Sequence, residues 1–288
     1  MKVDFFIVGA PKAGTTSLYH YLSEHPQVEM SSQKEPDYFS DKAINEQGMY
    51  YGKNRVNTLD KYESLFVQKE SVVYGEASVS YLFYENVAED IKKYNPNAKI
   101  IIMLRNPIER AFSHYLMDYR LGLISDSFEN IIAKKSKHKK SHLFYQQYIE
   151  VSKYATQIER YLDFFEKESI LFIDYEDFKK NVSKTVGKVY DFLNISAEFA
   201  ADINTKYNTF TMPKNKGIRF IYSFVFLRKI LTFLFPIYLV MNIRFLLFKT
   251  DKKPELLKET RSQLRIIFND DIKKLEEVLS KNYSKWIK

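Results

Sequence analysis

The sequence predicts an α/β fold, a parallel sheet covered by helices on both faces, and three observations predict it. Four short apolar runs, at residues 5–8, 72–75, 99–104 and 169–173, lack the polar alternation of a half-exposed strand and read as strands buried on both faces. Helical patterns separate them, and strands alternating with helices imply parallel pairing through crossovers. The chain has 288 residues, 45% hydrophobic and 28% charged, which is enough for a full core and argues against disorder. A single domain over 1–288 is therefore expected, and no internal repeat is visible.

The elements follow in order. The first strand breaks at Gly9-Ala10-Pro11, and a helical pattern through Leu18, Tyr21 and Leu22 runs to about Glu24, where His25-Pro26 ends it. A loop follows through residues 31–36. After the second strand, a helix over 84–94 closes at Asn95-Pro96-Asn97. Strand 99–104 ends at Arg105-Asn106-Pro107, and Pro107 suits the first turn of a helix continuing through Ile108, Ala111, Phe112, Tyr115 and Leu116. Residues 125–150 read as polar and irregular. A helix over 154–165 precedes strand 169–173, a turn at Tyr175-Glu176-Asp177-Phe178, and a helix over 182–193. An amphipathic helix pattern spans 254–286.

The first strand–turn–helix unit carries chemistry. Lys12 and Gly14 lie in the turn, and Thr15, Thr16 and Ser17 open the helix. The first amides of a helix have no partner within it, and the dipole there favours an anion. A lysine and hydroxyls add charge-assisted donors, so a phosphate or sulfate group belongs here. An ATP or GTP loop would place its lysine directly after the last glycine. Here Thr15 stands after Gly14 and Lys12 lies inside the turn, which weakens the nucleoside triphosphate reading. The unit at 99–116 supplies a second anion-binding group, because the planar fork of Arg105 at the strand end matches phosphate oxygens in pairs. Taken alone, Arg105 could equally be a surface charge and Ser113 a helix-face hydroxyl.

These two motifs together resemble the sulfotransferases that use 3′-phosphoadenosine 5′-phosphosulfate (PAPS). Pro11-Lys12-Ala13-Gly14-Thr15-Thr16-Ser17-Leu18 is similar to the family's first motif, and the strand–Arg105–Pro107–helix unit with Ser113 is similar to its second. The likeness is close over 4–120 and 152–195, loose over 196–253, and returns in the C-terminal helix with Ser284–Trp286. It implies a P-loop-like parallel sheet with extra C-terminal helices. It implies that Lys12, Ala13, Gly14, Thr15, Thr16 and Ser17 hold the 5′-phosphosulfate, and that Arg105 and Ser113 hold the 3′-phosphate. A late lysine–glycine loop usually adds a third contact; Lys216, Gly217 and Arg219 stand where it would be, and a plain basic turn fits them as well.

Sulfuryl transfer requires charge stabilisation on the leaving oxygen, expected from Lys12, and a base for the acceptor proton. Glycan-modifying members resemble this chain at Lys34-Glu35-Pro36-Asp37-Tyr38-Phe39, which implies that Glu35 is the base. The plain alternative is a solvated charge paired with Lys34. Small-molecule members place a histidine after the second strand; this chain has Gly75-Glu76-Ala77-Ser78 there, and Glu76 is a second acidic candidate that could assist or orient. Glycan-modifying relatives often carry a lysine near Ala77 and Ser78, so the departure bears on a heparan-like acceptor. The resemblance thus implies a PAPS-dependent enzyme acting on a hydroxyl or amine, with a glycan or glycolipid as acceptor. The rivals are a phosphate-loop nucleotide kinase and a non-catalytic, membrane-associated nucleotide-binding protein.

Composition excludes several classes. The absence of cysteine removes disulfides, thiolate metal sites and cysteine nucleophiles, and the five histidines show no ligand spacing, so no metal is expected. The formal net charge of +8 favours anionic partners. The run Lys134–Lys140 lacks interleaved aromatics and gives no support for nucleic acid; it reads as a solvated loop or an attractor for an anionic acceptor. The first strand begins almost at Met1, so no signal peptide and a cytoplasmic location are expected. The apolar, basic-flanked segment 219–249 is interrupted by charges and by Pro236, which suits two helices better than a membrane span. It reads either as a buried hairpin or as an interfacial element in peripheral contact with anionic lipid.

Overall fold

A computed structural model describes residues 2–48, 55–70, 72–203, 211–215, 217–218, 220, 247–249 and 253–287. Lys216, Arg219 and nearly all of the 219–249 segment lie outside the described residues. Five strands form one sheet: β1 (Phe5–Gly9), β2 (Val28–Met30), β3 (Val73–Ala77), β4 (Lys99–Leu104) and β5 (Ile170–Asp174). Their order is β2-β3-β1-β4-β5, and every pairing is parallel. The apolar runs pair in register, Phe5 opposite both Gly75 and Lys99, and Ile101 opposite Leu171. All of β1 is buried, which is why its residues are apolar on both faces.

Eleven helices are described: α1 (Thr15–Ser23), α2 (Asp41–Gln47), α3 (Leu59–Glu63), α4 (Val87–Tyr94), α5 (Pro107–Arg120), α6 (Phe128–Ile132), α7 (Ser141–Tyr148), α8 (Ala155–Phe164), α9 (Tyr175–Lys180), α10 (Val182–Leu193) and α11 (Lys258–Leu279). Helices α1 and α10 pack together; elsewhere α4 meets α8, and α11 lies against α8 and α5. No helix among the described residues is long and apolar enough to cross a membrane.

Two expectations are corrected and one element is added. Residues 125–150 are not irregular, since α6 and α7 occupy much of them. Ser127 caps α6 by accepting from the Asn130 amide, and α7 buries Leu143, Phe144, Gln147 and Tyr148 along one side. The whole basic run, Lys134–Lys140, lies between the two helices, and its charge hid the apolar faces on either side. The turn expected at 175–178 is the start of α9, which has Glu176 and Asp177 in its first turn and two lysines in its last, as the helix dipole favours. Strand β2 (Val28–Met30) falls just ahead of the expected loop, where no element was assigned, because three residues are too few to show a period.

The strand order positions the site. The chain leaves β1 through α1 towards β2 on one side, whereas it leaves β4 towards β5 on the other. The carboxyl ends of β1 and β4 therefore flank a topological switch point, where α/β sheets bind ligands. The C-terminal residues are fastened beside it. Asp271 of α11 accepts from the Tyr154 and Ala155 backbone amides at 2.7 and 3.2 Å, Lys281 pairs with Asp174 of β5, and the Asn106 side-chain Nδ2 donates to the Trp286 carbonyl at 3.1 Å.

Candidate functional site

The loop between β1 and α1 is shaped by its own residues. Gly14 is the N-cap of α1 with φ of 93°, a left-handed conformation that L side chains rarely adopt. A Cβ there would also sit 3.1 Å from Tyr175 Cδ2 and 3.2 Å from Phe178 Cε1, tight contacts that add to the preference for glycine. No side chain caps α1, which leaves its leading amides for a ligand. Ala13 and Thr15 are buried, while Lys12, Thr16 and Ser17 are half-buried.

Lys12 reaches over the loop towards α5, its Nζ 3.5 Å from Met117 Sδ. Burial, followed by repulsion from Arg120 and Arg105, lowers its pKa to about 8; Asp118 and Glu35 pull the other way. Arg105 joins the same corner from the end of β4. Its Nη1 donates to the Lys12 carbonyl at 2.8 Å and its guanidinium lies 4.6 Å over the Tyr175 ring. The Tyr154 hydroxyl donates to the Arg105 carbonyl at 2.9 Å. Arg105 Nε is buried with no hydrogen-bond partner among the described residues. Asn106 and Pro107 fix the exit from the strand: the Asn106 side chain accepts from the Ile108 and Glu109 amides, and Pro107 opens α5.

Ser113 is half-buried on α5, one turn beyond Glu109. Two cations that sequence reasoning did not assign to the site meet Glu109: Lys253 Nζ at 3.4 Å and Arg261 Nη2 at 2.7 Å. Lys253 also lies 5.3 Å over the Phe112 ring and is close enough to Arg105 to feel its charge; burial is the main cause of its lowered pKa. Burial would raise the Glu109 carboxyl, but the hydrogen bond from Arg261 and the nearby cations hold it below the usual range. The lysines before Pro254 were the only sequence signal for Lys253. Gly217 is described, with the neighbouring Ile218 amide donating to Asn215 Oδ1 at 2.8 Å, and no contact joins it to Lys12 or Arg105 among the described residues.

Glu35 lies on the loop after β2. It adopts φ of 59° and its amide donates to the Ala77 carbonyl at 2.9 Å. Its carboxylate pairs with Lys34 at 2.5 Å and its side chain keeps 34% exposure, so a ligand can reach it. Its charge also acts on Lys12, which places the acidic and cationic candidates in one electrostatic neighbourhood. Glu76 differs: it is fully buried, and burial raises its carboxyl to about 7. No acceptor can reach it there.

The donor set fits an anionic nucleotide. One corner offers the α1 amides, a half-buried ammonium and a guanidinium whose buried Nε lacks an acceptor.

Known proteins are similar to this chain in sequence and fold. The family model described as "Sulfotransferase domain" matches residues 2–224. Human carbohydrate sulfotransferase 15 is 28% identical over 243 residues, covering 66% of this chain and 43% of its own length. Mouse bifunctional heparan sulfate N-deacetylase/N-sulfotransferase 1 is 30% identical over 198 residues, covering 66% of this chain and 22% of its own. The chain thus spans less than half the length of these curated relatives. A crystal structure of a sulfotransferase from Alicyclobacillus acidocaldarius matches with a TM-score of 0.73 at 28% identity, covering 100% of both chains. By its two motifs, the sheet that positions them and a family match over most of its length, this chain belongs to the sulfotransferase domain family.

Proposed function

We propose that this protein transfers a sulfuryl group from PAPS to a hydroxyl or amine on a glycan or glycolipid. The observation that carries the reading is the bond from Arg105 to the Lys12 carbonyl, which draws two distant motifs into one corner. Residues 12–17 would hold the 5′-phosphosulfate, and Arg105 with Ser113 the 3′-phosphate. Gly217, with Lys216 and Arg219, is the expected third contact. The bound donor supplies the sulfuryl group, whose bond to the 5′-phosphate oxygen breaks as a bond to the acceptor atom forms. Lys12 and the α1 amides offset the charge that grows on the leaving phosphate. Glu35 takes the proton that the acceptor loses. A glycan acceptor is supported by the names of the relatives, and the net charge of +8 suits an anionic acceptor or an anionic membrane surface.

Calorimetry tests the donor: adenosine 3′,5′-bisphosphate is expected to bind and magnesium–ATP is not, and the reverse result would overturn the proposal in favour of a kinase. A panel of desulfated chondroitin, heparosan and galactosylceramide, incubated with labelled donor and read by mass spectrometry, tests the acceptor. Bisphosphate binding without transfer to any of them would point to the non-catalytic rival.

A further inference from the structure

The carboxyl end of β3 carries a polar network that donor binding does not use, directly beneath the Glu35 loop. Glu76 accepts at Oε2 from the Tyr62 hydroxyl at 2.7 Å and the Tyr81 hydroxyl at 3.1 Å, while its Oε1 has no hydrogen-bond partner among the described residues. A fully buried carboxyl group in an aromatic setting is costly to keep, so it calls for a reason beyond packing.

The reason lies in what its partners hold. Three amides of the loop point alternately at this strand end. Glu35 N donates to the Ala77 carbonyl at 2.9 Å, Asp37 N to Ser78 Oγ at 3.0 Å, and Phe39 N to the Tyr81 hydroxyl at 3.3 Å. The Ser80 hydroxyl donates to Asp37 Oδ1 and pairs with Ser40 Oγ at 2.8 Å. Glu35 and Asp37 are both non-glycine residues with φ near 55–60°, a strained conformation that persists only where the surroundings over-determine it. The Tyr81 hydroxyl has one proton. Because Glu76 accepts it, the oxygen's lone pairs are turned towards the Phe39 amide. Without an acceptor at position 76 the hydroxyl is free to turn, and Phe39 N loses its partner.

We infer that Glu76 is a positioning residue: through Tyr81, and beside Ser78, it fixes the strained loop that presents Glu35 opposite Lys12. The inference rests on the reading of Glu35 as the base. It explains why a polar side chain occupies a site that no sulfuryl acceptor can enter. It also makes the required property at position 76 a hydrogen-bond acceptor rather than a charge, since glutamine has the acceptor and leucine does not.

The test uses the full chain and the variants Glu76→Gln, Glu76→Leu, Tyr81→Phe and Glu35→Gln. Amide hydrogen exchange over residues 34–40 reads the loop, bisphosphate calorimetry reads the donor corner, and sulfation of desulfated chondroitin reads turnover. Glu76→Leu and Tyr81→Phe are expected to speed exchange over 34–40 and lower kcat by about tenfold or more, as misplacement of a reacting group does. Bisphosphate affinity should stay within about twofold of the parent, and the acid limb of the pH–rate profile should move. Glu76→Gln should resemble the parent in all of these. Two results overturn the positioning role: parental exchange and turnover in Tyr81→Phe despite a lowered Tm, or a Glu76→Gln as impaired as Glu76→Leu. Persistent turnover in Glu35→Gln instead overturns the base itself, and exchange tells the two failures apart.

Discussion

The loop after β1, proposed to hold the donor, and the loop after β2, proposed to face the acceptor, are built on different principles. Residues 10–17 take their shape from Gly14 and the start of α1, with the Arg105 bond as a distant tie. Residues 31–40 take theirs from elsewhere: Ser31 N donates to Gly75, Ser32 N to Leu65, and the next three ties end at positions 77, 78 and 81. An anion can be held by backbone amides, which a short local sequence supplies. A base must be one side chain in one place, and tertiary contacts provide that.

This contrast can be broken by four measurements. The largest effect is expected for Glu35→Gln, which should lower turnover by about 10²–10⁴ while leaving bisphosphate affinity unchanged in calorimetry; a loss of affinity instead would merge the two loops into one site. Next comes the buried acid of the acceptor side. The Glu76 carboxyl stands at about 7 in the fold against 4.5 in the open chain, so between these values the native state keeps a proton that the unfolded state has lost. Stability should therefore fall as pH rises from about 4.5 to 7, by up to about 3 kcal/mol, and Glu76→Gln should flatten that slope in urea melts.

The donor side should respond more modestly. Arg105→Lys keeps the charge but loses the fork and the stacking on Tyr175, so bisphosphate affinity should drop by about tenfold with little change in Tm. The smallest effect concerns Lys12, whose pKa of about 8 means that it carries its proton below that pH and sheds it above. Anion binding favours the protonated form, so affinity should decline as pH rises through 8, by less than about tenfold per unit, with proton uptake visible in buffers of different ionisation heats. A flat profile would place Lys12 away from the phosphates.

Much of the donor side was legible. Strand β4 and helix α10 have the expected bounds, and the glycine, lysine and arginine fall where the strand ends imply. These features are local: an apolar run, a turn and a helix start are written in consecutive residues. What escaped notice was either short or tertiary. Strand β2 has three residues. Lys253 and Arg261 acquire meaning only by meeting Glu109 across the fold. Ser78 and Tyr81 look like ordinary strand-end residues until the loop lies against them, and only then does Glu76 change from a candidate base into a support. The ion pair of Lys34 with Glu35, weighed in the sequence as the plain alternative to a base, is present and leaves the carboxylate reachable.

Asn106 closes one more circuit. It caps α5 beside Arg105 and also grips the Trp286 carbonyl, so the segment after α11 buttresses the corner that Arg105 shares with Lys12. The corner around residue 12 is therefore not complete until residue 286 is in place. A chain shortened ahead of Trp286 would thus keep both Lys12 and Arg105 and still leave the corner between them without that support.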